Sequence, residues 1–272
     1  MGTPRPAPAG RDSLRAYRLT VARKRTVTPH LARITVTGAD LDHFTDVGPE
    51  PRCKVLVPPR PGADISIPHA VPGGTPFWDA VRALPESSRP VVRTYTVRAA
   101  RPAQREIDID FVLHGDTGPA SAWAGAAQPG DPVGIYGCLS SFAPPADTTA
   151  YLLIGDDTSL PAINGIAGAL PAGTRAHVSI EVDGPVDEQP LDSAADLKLT
   201  WVHRAGAEPG GPERLLAALR AVGQVEPTTF AWVAGESAMV QAIRSELVLG
   251  HDLTRQRVYF SGYWRRGHAE DD

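Results

Sequence analysis

The chain has few of the residues from which iron–sulfur and zinc sites are built. Its 272 residues include two cysteines, Cys53 and Cys138, whereas an all-cysteine centre needs four thiolates. We expect two separate, half-buried thiols, with a disulfide as the alternative. The eight histidines include no pair at helical ligand spacing. The sequence therefore predicts no metal site.

Long apolar runs and an excess of positive charge are also absent. No stretch approaches the ~18 apolar residues of a membrane-spanning helix, and residues 1–15 lack the apolar core of a signal peptide. The 27 Lys and Arg residues against 31 Asp and Glu give a net charge of −4, which disfavours nucleic-acid binding. We expect a cytoplasmic, monomeric protein with no membrane span and no nucleic-acid partner.

Four common motifs of nucleotide and hydrolase chemistry are missing. The sequence contains no GxxxxGK[ST], no GxGxxG, no GxSxG and no HExxH. These absences exclude a P-loop, the usual dinucleotide fingerprint, a serine nucleophile elbow and a zinc-protease helix.

The first half of the chain is predicted to be a small β-barrel. Residues 1–14 are rich in proline, glycine and alanine, and we expect them to be disordered. The next part alternates apolar and polar residues in short runs between turn residues, which is typical of strands. Six strands and two short helices predict a closed, six-stranded Greek-key barrel over residues 15–142. The strands are 17–27, 31–37, 53–57, 91–98, 106–113 and 133–136, and the helices are 77–84 and 118–127.

The second half, residues 143–272, is predicted to be an α/β domain. Apolar strands alternate with helical segments, and this order favours a doubly wound parallel sheet. The predicted strands are 151–154, 175–182, 197–203, 229–234 and 257–264, and the predicted helices follow residue 158 and span 212–222 and 236–248.

One predicted strand, RTYTVR at residues 93–98, has an unusual arrangement of side chains. Side chains alternate on a strand, so Arg93, Tyr95 and Val97 share one face and Thr94, Thr96 and Arg98 the other. A cation, a flat ring and a hydroxyl suit a ligand with a phosphate and a planar ring. An ordinary surface hairpin is the alternative, since Tyr and Thr favour strands.

Two strand-to-helix turns could bind phosphate through free backbone N–H groups. The turn at 155–163 offers Thr158 and Ser159 beside Gly155, and a second glycine, Gly235, ends a neighbouring strand. The loop at 115–124 has the same form within the predicted barrel. Simple helix capping is the alternative at each turn.

Seven segments in this order resemble the siderophore-interacting protein family of flavin-dependent ferric-siderophore reductases, in the ferredoxin-reductase-like superfamily. The resemblance covers residues 15–267. It is carried by RTYTVR (93–98), DFVLHG (110–115), GPASAWA (118–124), GDDTSLPAI (155–163), WVHR (201–204), WVAGE (232–236) and GYWRRG (262–267).

The resemblance implies FAD in the barrel domain and NADPH or NADH as electron donor at the α/β domain. Arg93 would hold FAD phosphate, Tyr95 would stack on the flavin, and the Thr96 hydroxyl would lie near flavin N5, with no catalytic acid or base required. The other FAD contacts would be Asp110, Val112, His114, Gly118, Ala120, Ser121 and Ala124. The dinucleotide contacts would be Gly155, Asp156, Thr158, Ser159, Gly235 and Glu236.

The substrate implied is a ferric siderophore, whose release of iron follows reduction because Fe(II) is less suited to hard oxygen donors. Candidate contacts are Lys54, Arg204, Trp264, Arg265 and Arg266. Two departures from the family pattern stand out: Ala234 replaces an expected cysteine before Gly235, and Asn164-Gly165 is expected to interrupt a helix.

Two other functions fit the same sequence. One is a general NAD(P)H:flavin reductase that serves a protein partner, with a ferredoxin-type protein as a further possible electron donor. The other is a non-enzymatic siderophore-binding or nucleotide-binding protein.

Overall fold

The computed structural model describes residues 15–45, 48–60, 62–68, 76–113 and 118–268. The segment 1–14, predicted to be disordered, lies outside the described residues, and so does His114. Among the described residues, no helix has both the length and the apolar character needed to cross a membrane.

The first part of the chain is a closed barrel of six antiparallel strands, as predicted. The strands lie in the order β1-β2-β5-β4-β3-β6. A six-residue helix, α1, precedes β4, and an eight-residue helix, α2, precedes β6. The bounds are β1 Ala16–Thr28, β2 Leu31–Thr37, β3 Arg52–Val57, α1 Phe77–Arg82, β4 Val91–Arg101, β5 Glu106–Val112, α2 Pro119–Ala126 and β6 Pro132–Leu139.

Alternation along each strand decides which side chains fill the barrel. On β5, Ile107, Ile109 and Phe111 enter the core, whereas Asp108 and Asp110 lie on the outer face. Helix α2 adds Trp123 and other apolar side chains to the same core. A small barrel is filled by its own side chains in this way, so any ligand has to bind at its surface or its ends.

The second part is a parallel five-stranded sheet with helices on both faces, again as predicted. The strand order is β11-β10-β7-β8-β9, with α4 and α5 packed on one face and α3 on the other. Strand order reverses between β7 and β10, and we call the carboxyl ends of these two strands the switch point. Ligands of such sheets bind in the crevice outside the switch point. The bounds are β7 Ala150–Asp156, α3 Leu160–Ala169, β8 Arg175–Val182, β9 Asp196–His203, α4 Glu213–Val222, β10 Thr229–Glu236, α5 Ser237–Ser245 and β11 Val258–Trp264.

Helix α5 is shorter than the predicted 236–248. It begins after Glu236, because the Glu236 carboxylate accepts hydrogen bonds from the N–H groups of Ala238 and Met239 and so caps the helix. It ends at Ser245, where a π-helical turn, Glu246–Gly250, takes over.

The two parts of the chain pack closely where α3 meets the barrel. A Cβ atom built on Gly165 would lie 1.9 Å from the carbonyl oxygen of Pro49. The predicted helix interruption at Asn164-Gly165 is wrong, since α3 continues through both residues. The lower helix propensity of glycine is offset by a backbone contact that no other residue allows.

We expect Gly165→Ala to destabilise the protein by about 1–3 kcal/mol, because the added methyl has to displace the Pro49 backbone. Chemical denaturation would measure the loss. Gly125→Ala in α2 is the matched control, since no atom lies within 4 Å of its Cβ position and alanine gains up to ~1 kcal/mol in a helix. Equal stability of the two variants would contradict a tight seam at Gly165.

Candidate functional site

The predicted flavin strand, β4, turns Tyr95 toward the end of the barrel that α2 covers. The Tyr95 ring centroid lies 4.3 Å from that of Phe111, which lies 5.6 Å from that of Trp123 in α2. Arg93 lies opposite Val55 in the strand register and shares the face of Tyr95. A cation and an aromatic ring are therefore neighbours on one face, as the alternation predicts.

Helix α2 supplies the second predicted element of this site. It follows Gly118, and the first-turn residues Ala120 and Ser121 are 5% and 4% exposed. The N–H groups of such a first turn have no partner within the helix. Ala124, one turn later, is fully buried in the barrel core. The structure thus brings Gly118, Ala120 and Ser121 to the helix start and separates Ala124 from it.

On the opposite face of β4, Thr96 lies in a group of buried polar atoms that make no hydrogen bond of standard geometry in the protein. They are Thr96 Oγ1, Glu50 Oε2, Arg52 Nε and the Tyr263 hydroxyl. Arg52 joins the group to the α/β part, because its Nη1 donates to Ser261 Oγ at 2.8 Å and its guanidinium lies 5.7 Å from the Tyr263 ring centroid. We call these four residues the seam cluster.

The members of the seam cluster influence one another's ionisation. Burial raises the pKa of Tyr263, and the Glu50 carboxylate raises it further, whereas Arg52 and the Thr96 hydroxyl oppose the rise. Burial also raises the pKa of Glu50. Within the cluster, Arg52 Nε and Glu50 Oε2 form an ion pair at 4.0 Å, and the Thr96 and Tyr263 hydroxyls interact. Buried polar groups are almost always hydrogen-bonded, so a cluster without a hydrogen bond of standard geometry at these four atoms is suited to receive a polar partner.

Asp110 and Val112, two further predicted flavin contacts, lie on β5. The Asp110 carboxylate is 6% exposed and accepts two hydrogen bonds from Arg33, at 2.6 and 2.8 Å. Arg98, for which the sequence suggests no role, lies 3.9 Å from the same carboxylate. Asp110 is thus already paired on the outer face of the barrel, and Val112 ends the strand, partly buried.

The predicted dinucleotide turn is organised around Asp156, at the carboxyl end of β7. Its carboxylate accepts hydrogen bonds from the N–H of Thr158 at 3.0 Å, the N–H of Glu236 at 2.9 Å and Trp264 Nε1 at 2.9 Å. Burial raises the pKa of Asp156, and these hydrogen bonds oppose the rise. One carboxylate therefore connects β7, β10 and β11 at the switch point.

Two glycines permit this arrangement. A Cβ on Gly235 would lie 2.5 Å from Asp156 Oδ2, and one on Gly155 would lie 2.0 Å from Ser159 Oγ. Ser159 is fully buried and donates to the Asp156 carbonyl at 2.8 Å. The six predicted residues do come together, but the side chains of Asp156, Ser159 and Glu236 use their hydrogen bonds within the protein.

Arg204, predicted as an anion contact, is held by carboxylates. Its Nη1 lies 2.9 Å from Asp157 and its Nε 3.8 Å from Asp183, and its side chain is 9% exposed. Burial and the neighbouring Asp156 raise the pKa of Asp157 to about 7, against the effect of Arg204. Arg204 neutralises an acidic group rather than presenting a free charge.

The other predicted substrate contacts differ in whether the structure shows their side chains hydrogen-bonded within the protein. Lys54 Nζ donates to Thr94 Oγ1 at 2.6 Å, and the Trp264 indole is bound to Asp156. Arg266 donates through its side chain to the Pro209 carbonyl, whereas Arg265 is exposed at the end of β11. Because Trp264 is the last residue of β11, it lies at the carboxyl edge of the sheet.

One group of potential metal ligands occurs among the described residues: His30, Asp183 and Asp187, whose ligand atoms lie within 4.8 Å of one another. His30 Nδ1 is 3.0 Å from the Asp187 carboxylate. This pair joins the turn between β1 and β2 to the α/β part, so it acts as a contact between the two halves.

Sequence reasoning missed Glu50, Arg52 and Tyr263. Tyr263 lies within the GYWRRG segment, whereas Glu50 and Arg52 flank Pro51 just ahead of the predicted third strand. Contacts of Arg52 with Ser261 and Tyr263 of β11 bring the three together, so no local pattern could have identified them.

Comparisons with known proteins agree with this architecture. Residues 148–267 match the family model described as siderophore-interacting protein, and residues 20–141 match the siderophore-interacting FAD-binding domain. The ferric vibriobactin reductase ViuB of Vibrio cholerae is 32% identical over 258 residues, which are 93% of this chain and 90% of that protein.

Solved structures give the same result. SipS, a siderophore-interacting protein from Aeromonas hydrophila, is 34% identical with a TM-score of 0.75 and 94% of each chain covered. A siderophore utilization protein from T. fusca is 32% identical with a TM-score of 0.78, covering 95% of this chain and 96% of that one. The ferredoxin reductase of carbazole 1,9a-dioxygenase, 15% identical with a TM-score of 0.64 over 92% of this chain and 70% of that one, shares the fold. The chain belongs to the siderophore-interacting protein family.

Proposed function

We propose that the protein is an FAD-dependent oxidoreductase that reduces ferric siderophores and so releases Fe(II), with electrons from NADPH or NADH. The names of its relatives support this proposal, because ViuB is a ferric vibriobactin reductase and a further relative is a ferric acinetobactin reductase. The structural observation that carries it is the buried Thr96 hydroxyl, which lies beside the Tyr263 hydroxyl and makes no hydrogen bond of standard geometry in the protein.

The residues present fit a flavin at the barrel. The start of α2 offers the N–H groups of a first helical turn, which suit a phosphate, Tyr95 offers a ring beside Phe111, and Thr96 offers a hydroxyl in a cluster without hydrogen bonds of standard geometry. When bound, FAD supplies chemistry that accepts two electrons from a nicotinamide and delivers them singly to Fe(III). The chain then has to bind the cofactor, orient it and admit the substrate.

For the anionic substrate we propose Lys54, Arg265 and Arg266 as contacts. Lys54 lies on the outer face of β3 with Arg52, which meets β11, and the two arginines follow directly at the end of β11. We give Arg204 a structural role, since Asp157 and Asp183 already neutralise it.

For the electron donor we propose a nicotinamide dinucleotide at the switch point, with Trp264 beside it. Arg175 is, with Arg204, a candidate from the sequence for contact with the 2′-phosphate of NADPH. It is not suited to that role, because it lies at the amino end of β8 and pairs with Glu226 at 2.9 Å. A ferredoxin-type protein remains the alternative donor. A monomeric state and a cytoplasmic location stay predictions.

The direct test is an anaerobic assay of the FAD-loaded protein with NADPH or NADH and a ferric siderophore, in which a chelator traps Fe(II). We expect Fe(II) to form without any other protein. Fe(II) formation that requires reduced ferredoxin would favour the protein-partner alternative. A purified protein that cannot take up FAD would refute both enzymatic functions.

Replacing Arg93 by glutamine should weaken FAD binding by roughly tenfold to a hundredfold, the effect of one charge-assisted hydrogen bond. Arg98→Gln is the matched control, because Arg98 is on the opposite face of β4 and lies near Asp110. Fluorescence titration of the apoprotein with FAD would compare the two. Similar affinities would contradict the assignment of Arg93.

Thr96→Val separates a ligand-binding hydroxyl from a structural one. Because Thr96 Oγ1 makes no hydrogen bond of standard geometry in the protein, and only a weak contact with the Tyr263 hydroxyl, the apoprotein should lose no more than ~0.5 kcal/mol of stability, while FAD binds more weakly. Thr35→Val is the control: its buried hydroxyl donates to Asp108 at 2.7 Å, and its loss should cost about 1–2 kcal/mol. Chemical denaturation of both apoproteins would measure the stability changes, and titration with FAD would measure the affinities. Unaltered FAD affinity of the Thr96 variant would rule out a contact between Thr96 and the flavin.

A further inference from the structure

The two cysteines of the chain, far apart in sequence, are direct neighbours in the barrel. Cys53 on β3 is paired with Cys138 on β6 in the antiparallel register. Both side chains lie with the barrel core, Cys53 within it and Cys138 packed against it. The expectation that the two thiols are separate is therefore wrong. Cys53 is buried and Cys138 partly buried, and neither is in a disulfide.

A bulge at Gly137 brings Cys138 to this position. Val133 and Ile135 point into the core, so strict alternation would direct residue 137 inward and residue 138 outward. The register instead pairs Cys53 with Cys138 and Lys54 with Tyr136, which leaves Gly137 unpaired. Gly137 has a φ of 56°, the left-handed backbone of a glycine bulge. One extra residue thus reverses the direction of Cys138.

Directly opposed positions on antiparallel strands are well placed for a covalent link. Their Cα atoms are about 4.5 or 5.5 Å apart, depending on the type of pair, and disulfides span Cα separations of roughly 4.4–6.8 Å. The two thiols also contact each other: a hydrogen bond with the Cys138 thiol, together with burial, raises the pKa of Cys53.

The two thiols differ in accessibility. Cys53 is 1% exposed, whereas Cys138 is only partly buried. A reagent from solution therefore meets Cys138 first, and Cys53 is in contact with whatever forms there. This is the arrangement of an attacking and a resolving cysteine.

We propose that Cys53 and Cys138 are a reversible dithiol site that a low-molecular-weight disulfide, such as oxidised glutathione, converts to an intramolecular disulfide between β3 and β6. Cys138 thiolate attacks one sulfur of the reagent, so that one glutathione leaves as thiolate and takes up the Cys138 proton. Cys53 then attacks the Cys138 sulfur, and the second glutathione leaves with the Cys53 proton. Two protein thiols are oxidised by two electrons, and one reagent disulfide is reduced to two thiols.

The site lies one strand from the proposed flavin contacts, since Cys53 is also opposite Tyr95 on β4. The inference does not depend on the proposed function, because thiol oxidation is measured on the protein itself. The chain has no other cysteine, so loss of both thiols from a monomer without added glutathione mass means a disulfide between Cys53 and Cys138.

The test is incubation of the folded protein with oxidised glutathione, followed by intact mass measurement and thiol counting under denaturing conditions. We expect the wild-type chain to lose two hydrogen atoms and both thiols, and to regain them with a reductant. Cys53→Ala should keep one glutathione on Cys138, whereas Cys138→Ala should remain unmodified. Circular dichroism confirms that each variant is folded.

Thermal unfolding supplies a second measurement that needs no variant at Cys53. A disulfide across β3 and β6 restricts the unfolded chain, so oxidised wild type should unfold roughly 5 °C or more above the reduced protein, with no such shift for Cys138→Ala. Retention of both thiols by wild type, at a reagent concentration that modifies Cys53→Ala, would overturn the proposal. A covalent dimer as the main wild-type product would overturn it too.

Discussion

Close contact between the barrel and the α/β part is the constraint on which the rest of the structure depends. At Gly165 the backbone of α3 meets the Pro49 carbonyl with no room for a Cβ atom. Three residues after Pro49, Arg52 Nη1 donates a hydrogen bond to Ser261 Oγ of the α/β part at 2.8 Å. These contacts fix the start of β3, the strand that pairs with β4 and its proposed flavin contacts, against α3 and β11. An electron donor at the sheet and a flavin at the barrel can react only if the two halves hold such a fixed relation.

The switch point of the sheet and the seam cluster differ in how completely their buried polar side chains are hydrogen-bonded. At the switch point of the sheet, Asp156 is bonded to Thr158, Glu236 and Trp264, and Ser159 is bonded as well. These side chains set the shape of the crevice, and a dinucleotide there would have to rely on backbone groups or displace an internal bond. The seam cluster, by contrast, contains buried polar atoms that make no hydrogen bond of standard geometry within the protein.

Local patterns in the sequence were sufficient for the architecture but only partly for the site. Alternation and turn residues predict all six barrel strands and all five sheet strands, because each element depends on its own periodicity. The predicted interruption of α3 failed because a long-range contact, Gly165 with Pro49, outweighs helix propensity. The pairing of Asp110 with Arg33 could not be predicted, because strand register brings the two residues together. The seam cluster could not be predicted either, because its members meet through packing of the barrel against the α/β part rather than through spacing along the chain.

A single backbone irregularity shows how far such long-range effects reach. Without the bulge at Gly137, Cys138 would point away from the barrel core and the chain would have two unrelated thiols. With it, the thiols are adjacent and lie next to Tyr95, on the same face of the barrel wall. Bulges reorient side chains near functional sites at the expense of one unpaired residue. Here the reoriented residue is the more accessible of two neighbouring thiols, so that the wall holding the proposed flavin contacts also holds both cysteines of the chain.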